Sequence, residues 1–181
     1  MADYITTYTG LHFEPLNPDP AKFRIEDIAH ALSLTCRGNG HVKTFFSVAQ
    51  HCVFCAREAQ ARGMSPKVAL ACLLHDACEC YLSDVPTPFK KNLPSYITAE
   101  EEMLELVYTR FLGAPLTAEE EAQVNVIDKD MLYYDLKELL GTVEDRPAPV
   151  LMSRISYAVR SFEEVERDYL DCYREISAAL A

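Results

Sequence analysis

Basic residues are scarce in this sequence of 181 residues. Lys and Arg number 17 against 28 Asp and Glu, so the formal net charge is −11 at pH 7. Proteins that bind along a nucleic-acid backbone need clustered positive charge. An extended nucleic-acid partner is therefore not expected. A small anionic substrate is still compatible with the composition if a metal ion or an arginine supplies local positive charge.

Long apolar runs are also lacking. The longest ones fall far short of the ~20 residues that a membrane-spanning helix needs, and no membrane association is expected. The first ten residues, MADYITTYTG, contain no basic stretch followed by an apolar run, so a secretory signal is not expected. The seven cysteines are an odd number for a disulfide framework. Reduced thiols in a cytoplasmic protein are the simplest interpretation.

The spacing of apolar residues predicts an all-α fold of about six helices, because no convincing set of alternating strands is present. Residues 1–23 are predicted to be an irregular lead-in, and 83–97, which contain three prolines, a long loop. Helices are predicted at about 24–37, 48–62, 66–82, 98–112 and 118–141. A linker and a last amphipathic helix then fill 142–181.

Capping residues mark several of these helix starts. Ser47 and Thr98 are predicted N-caps, Ser65 is followed by Pro66 at the first helical position, and Thr117 has capping-box spacing. The last helix carries an apolar stripe that is a candidate subunit interface, formed by Ile155, Val159, Phe162, Val165, Tyr169 and Tyr173. The whole chain, 1–181, is expected to form one domain.

The segment LLHDACE is the most informative part of the sequence. It places His75 and Asp76 in a strongly apolar helix, where an Asp is rarely found unless it is paired or bound to a metal. Glu79 follows at helical spacing and shares a face with both. His51 lies in another apolar helix, and Asp128 lies between apolar residues further along. Two imidazoles and two carboxylates are a suitable ligand set for Mn²⁺, Fe²⁺, Co²⁺, Ni²⁺ or Zn²⁺.

These motifs together resemble the HD superfamily of metal-dependent phosphohydrolases, which is named for its His-Asp pair. The resemblance extends over about residues 1–140 and rests on IEDIAHALSLTCR with the following GNGH, then FFSVAQH, then LLHDACECYLSDVPTPFK, and the helix around Asp128. It is greatest to bacterial 5'-deoxynucleotidases and their prophage-encoded relatives. Gly38 departs from the family pattern, which usually has an aromatic residue at that position.

The resemblance implies a role for each matching residue. The metal ligands would be His51, His75, Asp76 and Asp128. Glu79 would activate or position the attacking water, Asp84 would act near the leaving group, and Arg37 would bind phosphate. The implied reaction is metal-dependent hydrolysis of a (deoxy)nucleoside 5'-monophosphate to nucleoside and phosphate. The implied cofactor is a divalent ion (Mn, Co, Ni, Fe, Zn or Mg), and the expected assembly is a homo-oligomer.

Two other functions are compatible with the same motifs. One is a (deoxy)nucleoside triphosphate triphosphohydrolase of the same superfamily. The other is a non-catalytic module that senses nucleotides or binds a partner. The small size of the chain favours a monophosphate substrate, and intact Glu79, Asp84 and Arg37 favour catalysis.

Several nearby residues have less specific signals. Asp130 is an alternative to Asp128, but it projects roughly 200° away on an ideal helix. Cys52 and Cys55 have metal-ligand spacing without a second pair, so they are interpreted as small core residues. His41 follows a Gly-Asn-Gly turn from which it could contact the substrate. His30 is interpreted as structural. Lys90 and Lys91 are interpreted as a solvated pair, although one of them could help to neutralise phosphate.

Overall fold

A computed structural model describes residues 3–142 and 144–180, and its fold is all-α, as predicted. Six helices have nine or more residues: α1 (Ile25–Leu34), α2 (Val48–Ala61), α3 (Pro66–Leu74), α6 (Pro94–Leu112), α7 (Ala118–Asp135) and α8 (Phe162–Ala178). Two four-residue helices, α4 (Glu79–Leu82) and α5 (Thr87–Lys90), lie between α3 and α6. None of the described helices is long and apolar enough to cross a membrane.

Helices α2 and α3 form the centre of the core. Helix α7 packs against both of them, and α8 lies across α1, α2 and α3. The apolar face of α8 is buried in this packing, with Val165, Tyr169 and Cys172 almost fully covered. Tyr169 also donates a hydrogen bond from its hydroxyl to the backbone carbonyl of Leu73 (2.8 Å). Val165 and Tyr169 of the predicted stripe therefore belong to the core, whereas Val159 is 65% exposed. A subunit interface at the exposed part of the stripe stays a prediction.

The predicted capping residues are confirmed at three helices. Ser47 and Thr117 each form a complete capping box at the start of α2 and α7, and Ser65 caps α3 with Pro66 in its first turn. Thr98 is wrong as a cap, because α6 already begins at Pro94. Proline has no N–H to donate, and the first turn of a helix needs none there.

The segment 83–97 is more ordered than a loop, since α5 and the start of α6 both lie in it. The lead-in also has some regular structure. Strands β1 (Ile5–Thr6) and β2 (His12–Phe13) pair antiparallel, with Ile5 opposite Phe13 and Thr6 opposite His12. A 3₁₀ turn follows at Pro20–Lys22. Phe13 is fully buried and stacks on Tyr81, so this hairpin covers one side of the core.

Two predicted helices end earlier than their apolar pattern indicated. Helix α1 ends at Leu34 rather than near Arg37, because the chain becomes extended and Cys36 pairs with Ser47. The predicted helix 66–82 breaks after Leu74. Across the break the backbone makes tighter bonds between residues three apart, from Ala77 N to Leu74 O and from Glu79 N to Asp76 O. The His-Asp pair therefore lies in a turn between two helices, not inside one helix.

The last helix begins at Phe162, where Ser161 forms a capping box with Glu164. Ile155 and Val159 therefore precede it, in an extended segment that follows the predicted linker. Helix α7 ends as predicted near Gly141, through a π-helical turn at Leu136–Leu140.

The carboxylate of Glu58 on α2 fixes the segment that precedes α8. It is fully buried and accepts hydrogen bonds from Met152 N, from Ser153 N and Oγ, and from Arg62 Nε, over 2.6–3.1 Å. Burial opposes ionisation, but these bonds from Ser153, Met152 and Arg62 outweigh it and lower the pKa of Glu58. The ionised carboxylate is therefore the form that the fold stabilises.

Glu58→Gln is expected to lower the free energy of unfolding by about 2 kcal/mol at pH 7, because charge-assisted hydrogen bonds are lost from a buried site. A lowered pKa in the folded state gives stability that is present above the unfolded pKa and declines as the pH falls through the folded value. The difference from wild type should thus shrink below about pH 4. Urea unfolding of both proteins at pH 7 and below about pH 4 measures the difference in the free energy of unfolding. Glu105→Gln, at an exposed position on α6, is the control and should change little.

Candidate metal centre

Three separate elements bring the predicted metal ligands together. His51 comes from α2, His75 and Asp76 from the turn after α3, and Asp128 from α7. The two imidazole rings lie with centroids 5.2 Å apart. Asp128 Oδ1 lies 3.1 Å from His51 Nε2 and 3.5 Å from His75 Nε2. Asp76 Oδ2 lies 3.3 Å from His75 Nε2. The sequence therefore named four side chains that do converge.

The far nitrogen of each imidazole is fixed by a hydrogen bond. His51 Nδ1 donates to Asp135 Oδ2 (2.7 Å), and His75 Nδ1 donates to the carbonyl of Cys72 (2.8 Å). These bonds hold the ring orientations and leave both Nε2 atoms facing the cluster. Metal-binding histidines are oriented by outer hydrogen bonds of this kind.

The donor set fits a divalent metal ion. His75 Nε2 is buried and makes no hydrogen bond within the described residues, which is costly unless another group satisfies it. Neighbouring ligand atoms on one ion lie about 3.0–3.6 Å apart, given bond lengths of about 2.0–2.3 Å. The distances from Asp128 to the two Nε2 atoms fall in that range. The cluster is thus able to hold a metal without large rearrangement of these atoms.

Negative charge dominates the electrostatics of the cluster. Burial raises the pKa of Glu79 well above its ordinary value, and the nearby carboxylates of Asp76 and Asp84 raise it further. Burial also raises the pKa of Asp84, although the Arg37 charge opposes the shift. In spite of burial, Asp76 and Asp128 raise the pKa of His75. The raised pKa values of Glu79, Asp84 and His75 show that the cluster favours added positive charge. A metal cation would supply that charge in place of protons.

The cluster opens into a cavity of about 430 Å³. The side chain of His51 is completely buried behind it, whereas that of Asp128 is 34% exposed. The remaining predicted site residues line this cavity: Arg37, His41, Asp76, Glu79 and Asp84. All eight residues predicted from the sequence therefore lie at one site, in spite of their separation along the chain.

Arg37 bridges two carboxylates at the cavity wall. Its Nη1 lies 3.2 Å from Asp76 Oδ2 and its Nη2 lies 3.3 Å from Asp135 Oδ2. A guanidinium has five N–H donors, so these contacts leave others for an anion. Lys90 also lines the cavity, and it bonds to Glu100 (2.7 Å). The interpretation of Lys90 as part of a solvated pair is therefore wrong.

Asp130 does not take part in the cluster. It pairs with Arg62 (2.9 Å) on another side of α7, as the helical spacing predicted. His30 bonds to Glu166 (3.1 Å) and stacks on Tyr8, which agrees with the structural interpretation. The choice of Asp128 over Asp130 therefore agrees with where the two side chains lie.

Asp135 and Tyr157 also belong to the site, although neither was predicted from the sequence. Asp135 is buried, and besides His51 and Arg37 it accepts a hydrogen bond from the Tyr157 hydroxyl (2.8 Å). Asp135 lies seven residues after Asp128, which is two turns along the same face of α7, so this signal was available. Tyr157 comes from the extended segment before α8, and no local pattern pointed to it.

The two thiols of α2 are buried in the core, as predicted, and they also lie beside the candidate ligand atoms. Cys55 Sγ lies 3.4 Å from His51 Nε2. Potential ligand atoms of His51, Cys55, His75 and Asp128 all lie within 4.8 Å of one another. Cys52 forms a similar group with His75 and Asp76. The missed signal is that His51 and Cys55 are four residues apart and share a helix face.

Asp135→Asn is expected to weaken metal binding about tenfold to a hundredfold, the usual effect of losing an outer partner of a histidine ligand. The neutral amide would hold His51 less firmly and would leave Arg37 with a single carboxylate. Competition with a chromogenic chelator measures the affinity. Tyr157→Phe removes only the bond to Oδ1 and should have a smaller effect. Unchanged affinity in Asp135→Asn would show that Asp135 does not support the site.

Two relatives are similar to this chain. It is 38% identical over 114 residues to the uncharacterized protein YfdR of Escherichia coli (strain K12), a match that covers 62% of this chain and 60% of YfdR. It is 31% identical over 171 residues to the uncharacterized protein RCAP_rcc00048 of Rhodobacter capsulatus, which covers 87% of each. No family model matches the chain. Neither relative's name gives an activity.

Proposed function

The chain belongs to the same family as RCAP_rcc00048 of Rhodobacter capsulatus, and we propose that it is a metal-dependent phosphohydrolase of the HD superfamily. Its proposed substrates are (deoxy)nucleoside 5'-monophosphates. One observation carries the proposal. Two imidazoles with fixed Nδ1 atoms direct their Nε2 atoms, together with carboxylates, toward a cavity that also contains an arginine and further acidic groups.

The proposed ligands are His51, His75, Asp76 and Asp128. When bound there, a divalent ion would supply positive charge to the phosphate and lower the pKa of water. The other cavity residues then have separate tasks. Arg37 binds phosphate oxygens with its remaining N–H donors, since its planar guanidinium suits that geometry. Its bonds to Asp76 and Asp135 keep the guanidinium in place.

Glu79 is the proposed proton acceptor. It lines the cavity, and its Oε2 is buried without a hydrogen-bond partner in the described part of the chain. A carboxylate in that position is free to take a proton from the attacking water at Oε2. Asp84 also lines the cavity and is the proposed partner of the leaving oxygen. His41 is exposed where it lines the cavity, which suits a contact with the nucleoside part.

The charges around the cavity favour a monophosphate over a triphosphate. Among the described lining residues, Arg37 and Lys90 carry fixed positive charge, and Lys90 is already paired with Glu100. The carboxylates of Asp76, Glu79, Asp84, Asp128 and Asp135 also line this space. A triphosphate brings more negative charge to this acidic wall than a monophosphate does, so the monophosphate is repelled less. The volume of about 430 Å³ is within the usual range for a small ligand.

A panel of nucleoside mono-, di- and triphosphates tests the proposal. The purified protein would be assayed with Mn²⁺, Co²⁺, Ni²⁺, Zn²⁺ and Mg²⁺, with identification of every product. Release of phosphate and nucleoside from monophosphates is the expected result. Release of triphosphate would favour the triphosphohydrolase instead. Nucleotide binding without turnover under any metal would favour the non-catalytic sensing module.

Location and assembly stay predictions. All seven cysteines are free thiols, and that state is compatible with the expected cytoplasmic location. The expected homo-oligomer needs an interface other than the buried face of α8. Sedimentation analysis of the purified protein determines the subunit number.

A further inference from the structure

A thiol lies among the ligand atoms of the candidate metal centre. Cys55 is fully buried on α2, one helical turn after His51, and its Sγ lies 3.4 Å from His51 Nε2. It belongs to one group with the ligand atoms of His51, His75 and Asp128, all within 4.8 Å of one another. Asp76 is not a member of that four-atom group, although it lies beside His75.

The distance between the thiol and the imidazole matches that of two ligands on one ion. Bond lengths of about 2.3 Å to sulfur and about 2.0–2.1 Å to nitrogen, at a tetrahedral angle, place the two atoms about 3.5 Å apart. The group also contains His75 Nε2, which is buried and makes no hydrogen bond in the described residues. An ordinary core cysteine contacts mainly carbon atoms. Cys55 belongs to the apolar core, and its Sγ in addition contacts the nitrogen that faces the candidate site.

We propose that Cys55 is a ligand of this metal centre and makes it prefer borderline ions such as Zn²⁺, Fe²⁺ or Co²⁺ over Mg²⁺. This inference rests on the metal centre of the proposed function and adds a fifth protein ligand to it. Thiolates favour softer ions, whereas Mg²⁺ favours oxygen ligands. When the metal–sulfur bond forms, the S–H bond breaks and its proton passes to the solvent. The oxidation states of sulfur and metal do not change.

Cobalt absorption spectroscopy tests the inference without an activity assay. A thiolate bound to Co²⁺ gives charge-transfer absorption in the near ultraviolet, which imidazole and carboxylate ligands do not give. The band is expected in the wild-type protein and in Cys52→Ser, and it should be lost in Cys55→Ser. Cys52 is the matched control because it is a buried thiol on the same helix, near His75 and Asp76. Loss of the band in Cys52→Ser with its retention in Cys55→Ser would overturn the assignment.

Metal affinities give a second, independent measurement. Cys55→Ser is expected to bind Zn²⁺ at least tenfold more weakly, since loss of even an outer partner has an effect of about that size. Its affinity for Mg²⁺ should stay nearly unchanged. If Cys55→Ser does not fold, Cys55→Ala replaces it, and the wild-type spectrum alone still decides whether any thiolate binds.

The possible failures of the inference and of the proposed function are distinguishable. Stoichiometric Co²⁺ without a thiolate band would overturn the role of Cys55 and leave the metal centre standing. Equal loss of Zn²⁺ and Mg²⁺ affinity in Cys55→Ser would overturn the role in metal preference. No binding of Co²⁺, Zn²⁺ or Mn²⁺ by the wild-type protein would overturn both the proposed function and this inference.

Discussion

Replacement of Glu79 by glutamine is expected to lower kcat on the best nucleotide about a hundredfold to ten-thousandfold, the usual effect of losing a general base. Glutamine keeps the shape of the side chain but cannot accept the proton. Glu79 lines the cavity and is not a member of either group of potential ligand atoms. The variant should therefore keep its metal. The measurement is kcat, metal content and melting temperature on the same preparation.

Two outcomes would contradict this role for Glu79. Normal turnover in Glu79→Gln would show that another group accepts the proton. Loss of metal together with activity would make Glu79 a ligand. Glu102→Gln is the control, because Glu102 is an exposed glutamate on α6 away from the cavity. It should resemble wild type in all three measurements.

His75→Ala is expected to abolish metal binding and activity together. The imidazole lies in the turn between α3 and α4, and its Nε2 is close to both Asp76 and Asp128. Without this imidazole, the two carboxylates stay in place, but the ion loses one of its proposed ligands. The metal content measured by elemental analysis should fall from one ion per chain in the wild type to a trace in the variant.

Thermal unfolding provides a further check on His75→Ala. Metal that binds only the folded state stabilises it, so a chelator should lower the melting temperature of the wild type. The same chelator should leave the melting temperature of His75→Ala unchanged. His30→Ala is the control, since His30 bonds to Glu166 outside the cluster, and it should keep its metal. Full metal occupancy in His75→Ala would remove His75 from the ligand set.

The sequence by itself determined the fold class and the position of most helices. Apolar spacing and capping are local properties, because each helical residue bonds to a neighbour three or four positions away. The capping residues Ser47 and Thr117 therefore predicted where α2 and α7 begin. The polar residues of LLHDACE were conspicuous for a similar reason, since burial of an unpaired Asp is costly.

The tertiary structure alone decided how the site is assembled. After the break at Leu74, α4 packs against α1. That contact is between elements far apart in the sequence, so the apolar pattern of 66–82 did not predict the break. Tyr157 donates a hydrogen bond to Asp135. The segment just before Tyr157 is held by the bond from Ser153 to Glu58, and these two residues are far apart in the chain. Helical spacing places Cys55 beside His51, but only the packing of other elements brings His75 and Asp128 to the same thiol. Sequence patterns report which side chains share an element, whereas distances between elements are set by packing, which no local spacing encodes.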